Sequence, residues 1–229
     1  MNYVYPLTQF EIRFTHILNF NQIIREILSP YLRMSSSFNF SNQGRFEESI
    51  RINFEDDLYS IDCRWDRIVF LCEDEPSRFS KQNSTFKLFW EILEKLTQIP
   101  TFGALRHSLF VSHEINILDI TQEEILRKIK EKFFTSEIDK VMKDPDELAI
   151  TLEKGSFSKQ TTITFGPYSN ADNKKYNLFP FKGPKFDEVE GKFGTLLKFQ
   201  VLEEFKKTDL DIFKRLVDEQ KSYSSYYLI

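Results

Sequence analysis

Four consecutive segments between residues 38 and 73 are strand candidates, and this series constrains the fold more than any other feature. The segments are Phe38–Asn42, Phe46–Phe54, Leu58–Trp65 and Arg67–Glu73. The second places Ile50, Ile52 and Phe54 on one face, and the last contains the continuous apolar run Ile68–Cys72. A period of two indicates strands with one buried face, and the short polar joints between them favour antiparallel neighbours. The region is therefore predicted to be an antiparallel meander.

The remaining patterns place helices between groups of strands. Apolar side chains at helical spacing predict helices around Ile23–Tyr31, Phe86–Leu96, Ile125–Phe133 and Phe213–Val217. Further strands are predicted over Phe10–Phe14, Ala104–Leu118, Glu147–Glu153, Phe157–Phe165 and Thr195–Phe205. The order β-α-β-β-β-β-α-β, then α-β-β-β-α, indicates an α+β protein with an antiparallel sheet packed by about four helices.

The length of the chain and its aromatic content define the domain organisation. With 229 residues, 24 of them phenylalanine and only seven glycine, the chain can bury a large core filled by phenylalanine between regular elements. We predict an N-terminal lobe over residues 1–120 and a C-terminal lobe over residues 121–229, packed as one compact unit. The joint Asp119–Thr121 is too short for a flexible hinge, and no repeat of residues indicates a duplication.

The longest irregular stretch is Gly166–Gly194, which is rich in glycine, proline and lysine. Loops of this length are uncommon unless they are mobile, functional or bound to something. Its lysines Lys174, Lys175 and Lys182 are therefore candidate binding residues.

Charge and composition exclude several classes of protein. The net charge of −4 and the lack of a dense basic block disfavour nucleic acid as a partner. No secretory signal and no apolar stretch of about 20 residues is present, so a cytoplasmic location without membrane contact is expected. Cys63 and Cys72 fit neither a metal-finger spacing nor a disulfide scaffold. A two-residue turn at Asp66 and Arg67 would make these cysteines diagonal neighbours on one face, where reduced core thiols are expected.

The chain carries no recognisable catalytic motif. It has no Gly-x-Ser-x-Gly elbow, no glycine-rich phosphate loop and no dinucleotide fingerprint, so neither a cofactor nor a metal site is predicted. The alternative is a metal-dependent nuclease built from Asp187, Glu204 and Lys206. A carboxylate on one element followed by Glu-x-Lys on a strand is an arrangement that can hold a divalent ion and polarise a water.

Two pairs of adjacent residues are candidate binding groups, because a cation beside an aromatic ring can stack or hold an anion. They are Arg64 with Trp65 and Arg106 with His107. His107 shares its parity with His113 and with the apolar residues of the same strand, so both histidines are expected on its buried face. The two are about 20 Å apart and cannot share a metal.

Several segments resemble a sporadically distributed family of uncharacterised bacterial proteins of about this length. The matching segments are Tyr5–Phe14, with its Glu-Ile-Arg-Phe strand, Ile61–Phe70, the Trp-bearing Phe86–Leu96, Leu105–His107 and Thr195–Tyr227. The family carries a central Leu-Arg-Tyr segment, where this chain has Leu-Arg-His. The resemblance implies a bacterial origin, no assigned activity and a place in mobile-element or anti-phage defence loci.

These observations favour a non-enzymatic binding protein whose partner is another protein. The expected contact surface is the sheet face or the Gly166–Gly194 loop. Besides the nuclease, an immunity or antitoxin-like protein directed against a basic toxin is an alternative. The sequence leaves the oligomeric state open.

Overall fold

A single antiparallel sheet of nine strands organises the chain. The computed structural model describes residues 2–45, 47–54, 58–79, 83–135, 147–206 and 211–227. The strands are β1 (Asn2–Phe14), β2 (Ser37–Ser41), β3 (Ser49–Phe54), β4 (Tyr59–Arg64), β5 (Arg67–Cys72), β6 (Leu105–Leu118), β7 (Ile150–Gly155), β8 (Lys159–Tyr168) and β9 (Phe193–Glu204). Phe46, at the predicted start of one strand, lies outside the described residues.

On either side of the centre of the sheet, the strands of one half of the chain are arranged in nearly the same way as those of the other half. It is β2-β3-β4-β5-β1-β6-β9-β8-β7, with β1 and β6 side by side in the middle. In each half of the chain the first strand lies at the centre, the next strand lies at an outer edge, and the following strands return inward. The described part of the second half has one strand fewer than the first.

Six α-helices accompany the sheet within the described residues, two more than the sequence predicts. They are α1 (Phe20–Leu28), α2 (Ser84–Thr97), α3 (Gln122–Phe133), α4 (Asn170–Lys175), α5 (Pro184–Val189) and α6 (Ile212–Ser224). The α+β class with an antiparallel sheet is therefore confirmed. No helix in these described ranges is both long and apolar enough to cross a membrane.

The four longer helices all pack on one face of the sheet, which we call the helix face. This face carries Phe10, Phe70, Phe110 and Phe199, and apolar residues of α1, α2, α3 and α6 join them in one core. The phenylalanine rings contact one another directly. For example, the ring centroids of Phe10 and Phe86 are 6.2 Å apart, and Phe86 also contacts Phe70. The predicted phenylalanine-filled core is therefore present, and it lies on one side of the sheet.

The other face, which we call the open face, carries Glu11, Val69, Leu109 and Leu202 across neighbouring strands. Among the described elements, only residues 169–190, the covering segment, pack on it. They build a small second core that includes Leu7, Ile115, Leu178 and Phe179. Within the part of the chain that the structure describes, no helix packs on the end of the open face that holds Arg13 and His107.

The covering segment corrects the prediction of a long irregular loop over Gly166–Gly194. The two ends of that predicted loop, residues 166–168 and 193–194, belong to β8 and β9, and α4 and α5 lie between them. Ser169 and Asp172 form a capping box at the start of α4, and Pro184 begins α5, so local helix signals override the glycine and proline content.

The β4–β5 hairpin also differs from the prediction, because its two-residue turn is Trp65 and Asp66. Arg64 therefore pairs with Arg67, and the register is two residues away from that expected from a turn at Asp66 and Arg67. A shift of two keeps every side chain on its expected face. The cysteines are both free and buried on the helix face, as expected, but they are no longer diagonal neighbours.

On β6, the strand that carries His107 and His113, the residues that face the main core have the opposite parity to that predicted. The helix-face residues of β6 include Ser108, Phe110, Ser112, Glu114 and Asn116, whereas the residues of the other parity from His107 to Ile117 lie on the open face; Leu105, beyond a register shift, packs against the main core. His113 is buried beside the covering segment, but His107 is exposed. The prediction failed because apolar residues of this parity pack partly against the covering segment, as Ile115 does, and partly remain half-buried on the open face, so apolar parity does not identify the main core.

Candidate binding site

Three arginines and a histidine lie in line across four adjacent strands of the open face. Arg64 of β4 pairs with Arg67 of β5, Arg67 with Arg13 of β1, and Arg13 with His107 of β6. Neighbouring strands are about 4.8 Å apart, so this line, the arginine row, spans about 14 Å. Like charges placed directly opposite one another destabilise a sheet unless groups of opposite charge lie beside them.

Glu11 and Asp66 compensate the charges in the middle of the row. The buried carboxylate of Glu11 accepts hydrogen bonds from Arg13 and, at 3.1 Å, from Arg67. Asp66 accepts from Arg67 at 3.0 and 2.6 Å, and this contact, with burial acting against it, raises the pKa of Arg67. The two carboxylates thus fix the positions of Arg13 and Arg67.

Asp62 compensates the outer end of the row. It is 4% exposed, and its Oδ2 accepts from Arg64 at 2.8 Å and from Arg51 of β3 at 3.4 Å. Its other oxygen, Oδ1, is buried and has no hydrogen-bond partner among the described residues. The four arginines of this region therefore share three carboxylates.

The arginines keep donors available to a ligand. Four guanidinium groups carry about twenty N–H bonds, whereas three carboxylates offer about twelve acceptor positions. The side chains of Arg13, Arg64 and Arg67 are 37%, 42% and 29% exposed, while that of Glu11 is 3% exposed. Glu11 and Asp62 are therefore buried and Asp66 is 16% exposed, so the arginine side chains are the more accessible partners of these ion pairs.

An aliphatic strip adjoins the arginine row on the same face. It consists of Leu109 and Val111 of β6 and Leu202 of β9, where Leu109 pairs with Leu202. All three side chains are half-buried, and none belongs to either core. Together with the row, the strip forms a surface that is both apolar and positively charged.

A cavity of about 320 Å³ lies at the outer end of the row, between the β2–β3 and β4–β5 turns. Its lining includes Arg64, Trp65, Arg67, Ser49 and Glu47. A volume of this size is within the range of ligand pockets. The row therefore ends in a concavity with an aromatic wall, and the ring of His16 lies 3.8 Å from that of Trp65 between centroids.

The predicted binding residues divide between the two ends of the sheet. Arg64, Trp65 and His107 lie at or beside the arginine row, and Arg106 is exposed on β6 next to His107. The lysines lie elsewhere: Lys174 and Lys175 are on α4, where Lys175 pairs with Glu147, and Lys182 lies between α4 and α5. The structure does not bring the two groups together.

In the nuclease alternative, Asp187 is separated from Glu204 and Lys206. Asp187 lies on α5, whose Val189 belongs to the second core together with Leu196 of β9. Glu204 is eight residues beyond Leu196 on the same strand, which is about 26 Å at 3.3 Å per residue. No group of three His, Cys, Asp or Glu residues in the described ranges could hold a metal ion.

His113 lies far from the row, beneath the covering segment. Burial and the neighbouring ammonium group of Lys198 lower the pKa of His113 to about 3, so its ring is neutral. Lys198 in turn lies over the ring of Tyr176, and burial lowers its pKa. These contacts attach the covering segment to the sheet.

Glu114 is a buried carboxyl group on the helix face of β6. It accepts a hydrogen bond from Ser224 of α6 at 2.9 Å and lines a small cavity together with Tyr3, Asn116 and Tyr227. Burial raises the pKa of Glu114, although the hydrogen bond from Ser224 acts in the opposite direction. The folded state thus binds the proton of Glu114 more tightly than the unfolded state does.

We expect Glu114→Gln to raise the melting temperature by about 2–4 °C at pH 8. Ionised Glu114 destabilises the fold above its folded pKa, and this cost disappears as the pH falls from the raised folded value to the ordinary unfolded value. The gain should therefore shrink toward pH 5 in thermal melts. Glu123→Gln, at an exposed position of α3, is the matched control, and a variant less stable than wild type at pH 8 contradicts the prediction.

Two members of the row, Arg13 and Arg67, and its partner Arg51 are missing from the residues singled out by sequence. The alternation around Phe10, Ile12 and Phe14 places Arg13 on the polar face of a strand, but it does not show which strands are its neighbours. The row follows from pairings between residues far apart in the chain, such as Arg13 with Arg67 and with His107.

Comparisons with known proteins assign no family to this chain. No protein-family model matches it, and no curated protein matches it. The resemblance to a bacterial family therefore stays a prediction, and the function is argued from the site alone.

Proposed function

We propose that this protein is a non-enzymatic binding protein and that its open face binds a protein partner. The observation that carries the proposal is the aliphatic strip beside the arginine row. Apolar side chains outside any core, bordered by arginine, are typical of the centre of a protein–protein interface.

The arrangement of the helices supports the same function. The four longer helices bury the central strands on one face of the sheet, whereas among the described residues the covering segment occupies one end of the other face. Of the two surfaces that the sequence favours, the sheet face remains accessible, but the Gly166–Gly194 region is largely engaged with the sheet. A rigid antiparallel sheet presents such a surface with little loss of conformational entropy on binding.

The alternatives find less support. The separation of Asp187 from Glu204 disfavours the nuclease. An immunity or antitoxin-like role remains compatible with protein binding, but the arginine row disfavours a basic toxin as the partner on this face. A place in a mobile-element or defence locus rests on the resemblance alone.

The test compares two leucine substitutions in a partner-capture experiment. Tagged wild type, Leu109→Asp and Leu18→Asp are cross-linked in host cells, and each partner recovered at stoichiometric yield is purified and titrated against each variant. Leu109 is on the open face, whereas Leu18 is an exposed leucine between β1 and α1. We expect the Kd to rise at least about tenfold for Leu109→Asp and to stay unchanged for Leu18→Asp.

Thermal melts establish that each variant is folded, and Val111→Thr provides a milder change on the same strip. Equal affinity of all the variants contradicts binding through the open face. An eluate without a protein partner, combined with metal-dependent cleavage of nucleic acid by the purified chain, contradicts the binding function altogether.

A further inference from the structure

We infer that the segment bound on the open face is acidic and partly apolar, with carboxylates in the arginine row and aliphatic side chains on the aliphatic strip. This inference rests on the proposed function and specifies the chemistry of the partner at that same site.

The first argument is the charge balance of the row. The ion-paired network itself holds four arginines and three carboxylates, 4 − 3 = +1 before any charge on His107, on a chain that carries −4; Glu204 and Glu47 lie outside this network, at the two ends of the row. The members are Arg13, Arg51, Arg64, Arg67, Glu11, Asp62 and Asp66. Because Glu11 and Asp62 are buried while the side chains of the arginines are 29–42% exposed, a ligand that approaches the middle of the row meets guanidinium groups first.

The second argument is the geometry of the donors. A guanidinium group binds a carboxylate through two parallel N–H bonds, and the half-exposed arginines of the row offer several such edges about 4.8 Å apart. A segment that crosses the strands meets Arg64, Arg67 and Arg13 in turn. It then reaches Leu109 and Leu202, which lie two positions along from His107 and Glu204.

The third argument concerns the choice between a protein and a nucleic acid. A nucleic-acid strand brings a phosphate about every 3.4 Å, which requires many more cations than this surplus provides. Glu204 stands opposite His107 at one end of the row, and Glu47 lines the cavity at the other. These carboxylates repel a polyanion, whereas a segment with a few spaced carboxylates and leucine-like side chains fits both parts of the surface.

The experiment measures fluorescence anisotropy with three labelled probes and the full chain. The probes are a peptide of alternating glutamate and leucine, the same peptide with lysine in place of glutamate, and a single-stranded oligonucleotide. We expect only the glutamate peptide to bind at moderate salt, and added salt to weaken it. Arg13→Gln and Arg64→Gln should each weaken binding about tenfold, whereas Arg127→Gln on exposed α3 should not.

Arg64→Gln distinguishes a loss of binding from a folding defect caused by Arg13→Gln. In this variant Asp62 keeps an ion pair, because Arg51 still pairs with it. The inference is overturned by tighter binding of the lysine peptide or the oligonucleotide, by failure of the glutamate peptide to bind, or by equal binding to the arginine variants. A captured partner that is lost in Leu109→Asp but retained in both arginine variants overturns this inference and leaves the proposed function standing.

Discussion

Replacing Glu73 by alanine is expected to lower the free energy of unfolding by about 3–5 kcal/mol. Glu73 is 1% exposed, and its carboxylate accepts hydrogen bonds from the backbone N–H groups of Phe181, of Lys182 at 3.2 Å and of Gly183 at 3.1 Å. Alanine leaves all three donors without this acceptor beneath the covering segment. Chemical denaturation followed by circular dichroism measures the loss.

The control for this prediction is Glu188→Ala on the exposed side of α5, which should change stability by less than about 0.5 kcal/mol. Glu73→Gln should give an intermediate loss, because an amide keeps one oxygen acceptor but adds a donor that faces other donors. A loss below about 1 kcal/mol for Glu73→Ala would show that the covering segment does not depend on this carboxylate.

Gly194→Ala is the second substitution with a large expected effect, a loss of about 3 kcal/mol. A methyl group on Gly194 would lie 2.2 Å from the backbone oxygen of Asn116 on the neighbouring strand. Neither atom can move without disturbing the β6–β9 ladder, where Gly194 pairs with Ile117. Denaturation curves of the purified variant measure the change.

Gly155→Ala is the matched control at another strand glycine. Its added methyl group would be 3.7 Å from Cγ of Gln160, an ordinary van der Waals contact. The variant should be as stable as wild type or slightly more so, because alanine restricts the unfolded chain. Equal stability of the two glycine variants would contradict the close approach of β9 to β6.

The local patterns of the sequence predict much of the helix face but not the arrangement of the sheet. The alternation of Phe10, Ile12 and Phe14 with polar residues correctly identifies a strand with one face in the main core. The pairing of that strand with β5 and β6 depends on contacts between distant parts of the chain, which no local period contains. Local patterns therefore do not identify Arg13 and Arg67 as neighbours.

Two other differences have local causes. On β6, the apolar residues Leu109 and Val111 indicated the buried face, but they belong to the aliphatic strip, while Ser108 and Ser112 face the main core. In the covering segment, glycine and proline indicated a loop although Ser169 already provided a helix cap. In both cases the same residues carry two competing patterns: apolar parity against burial on β6, and glycine and proline content against a helix cap in the covering segment.

The central position of β6 has a consequence for synthesis of the chain. On its outer side β6 pairs with β9, which begins 75 residues after β6 ends. At ribosomal rates of about 5–20 residues per second, that edge is without its partner for about 4–15 s. A nascent chain of this kind presents a long unpaired edge to its neighbours during that interval, so its yield in a cell depends on how well chaperones shield β6.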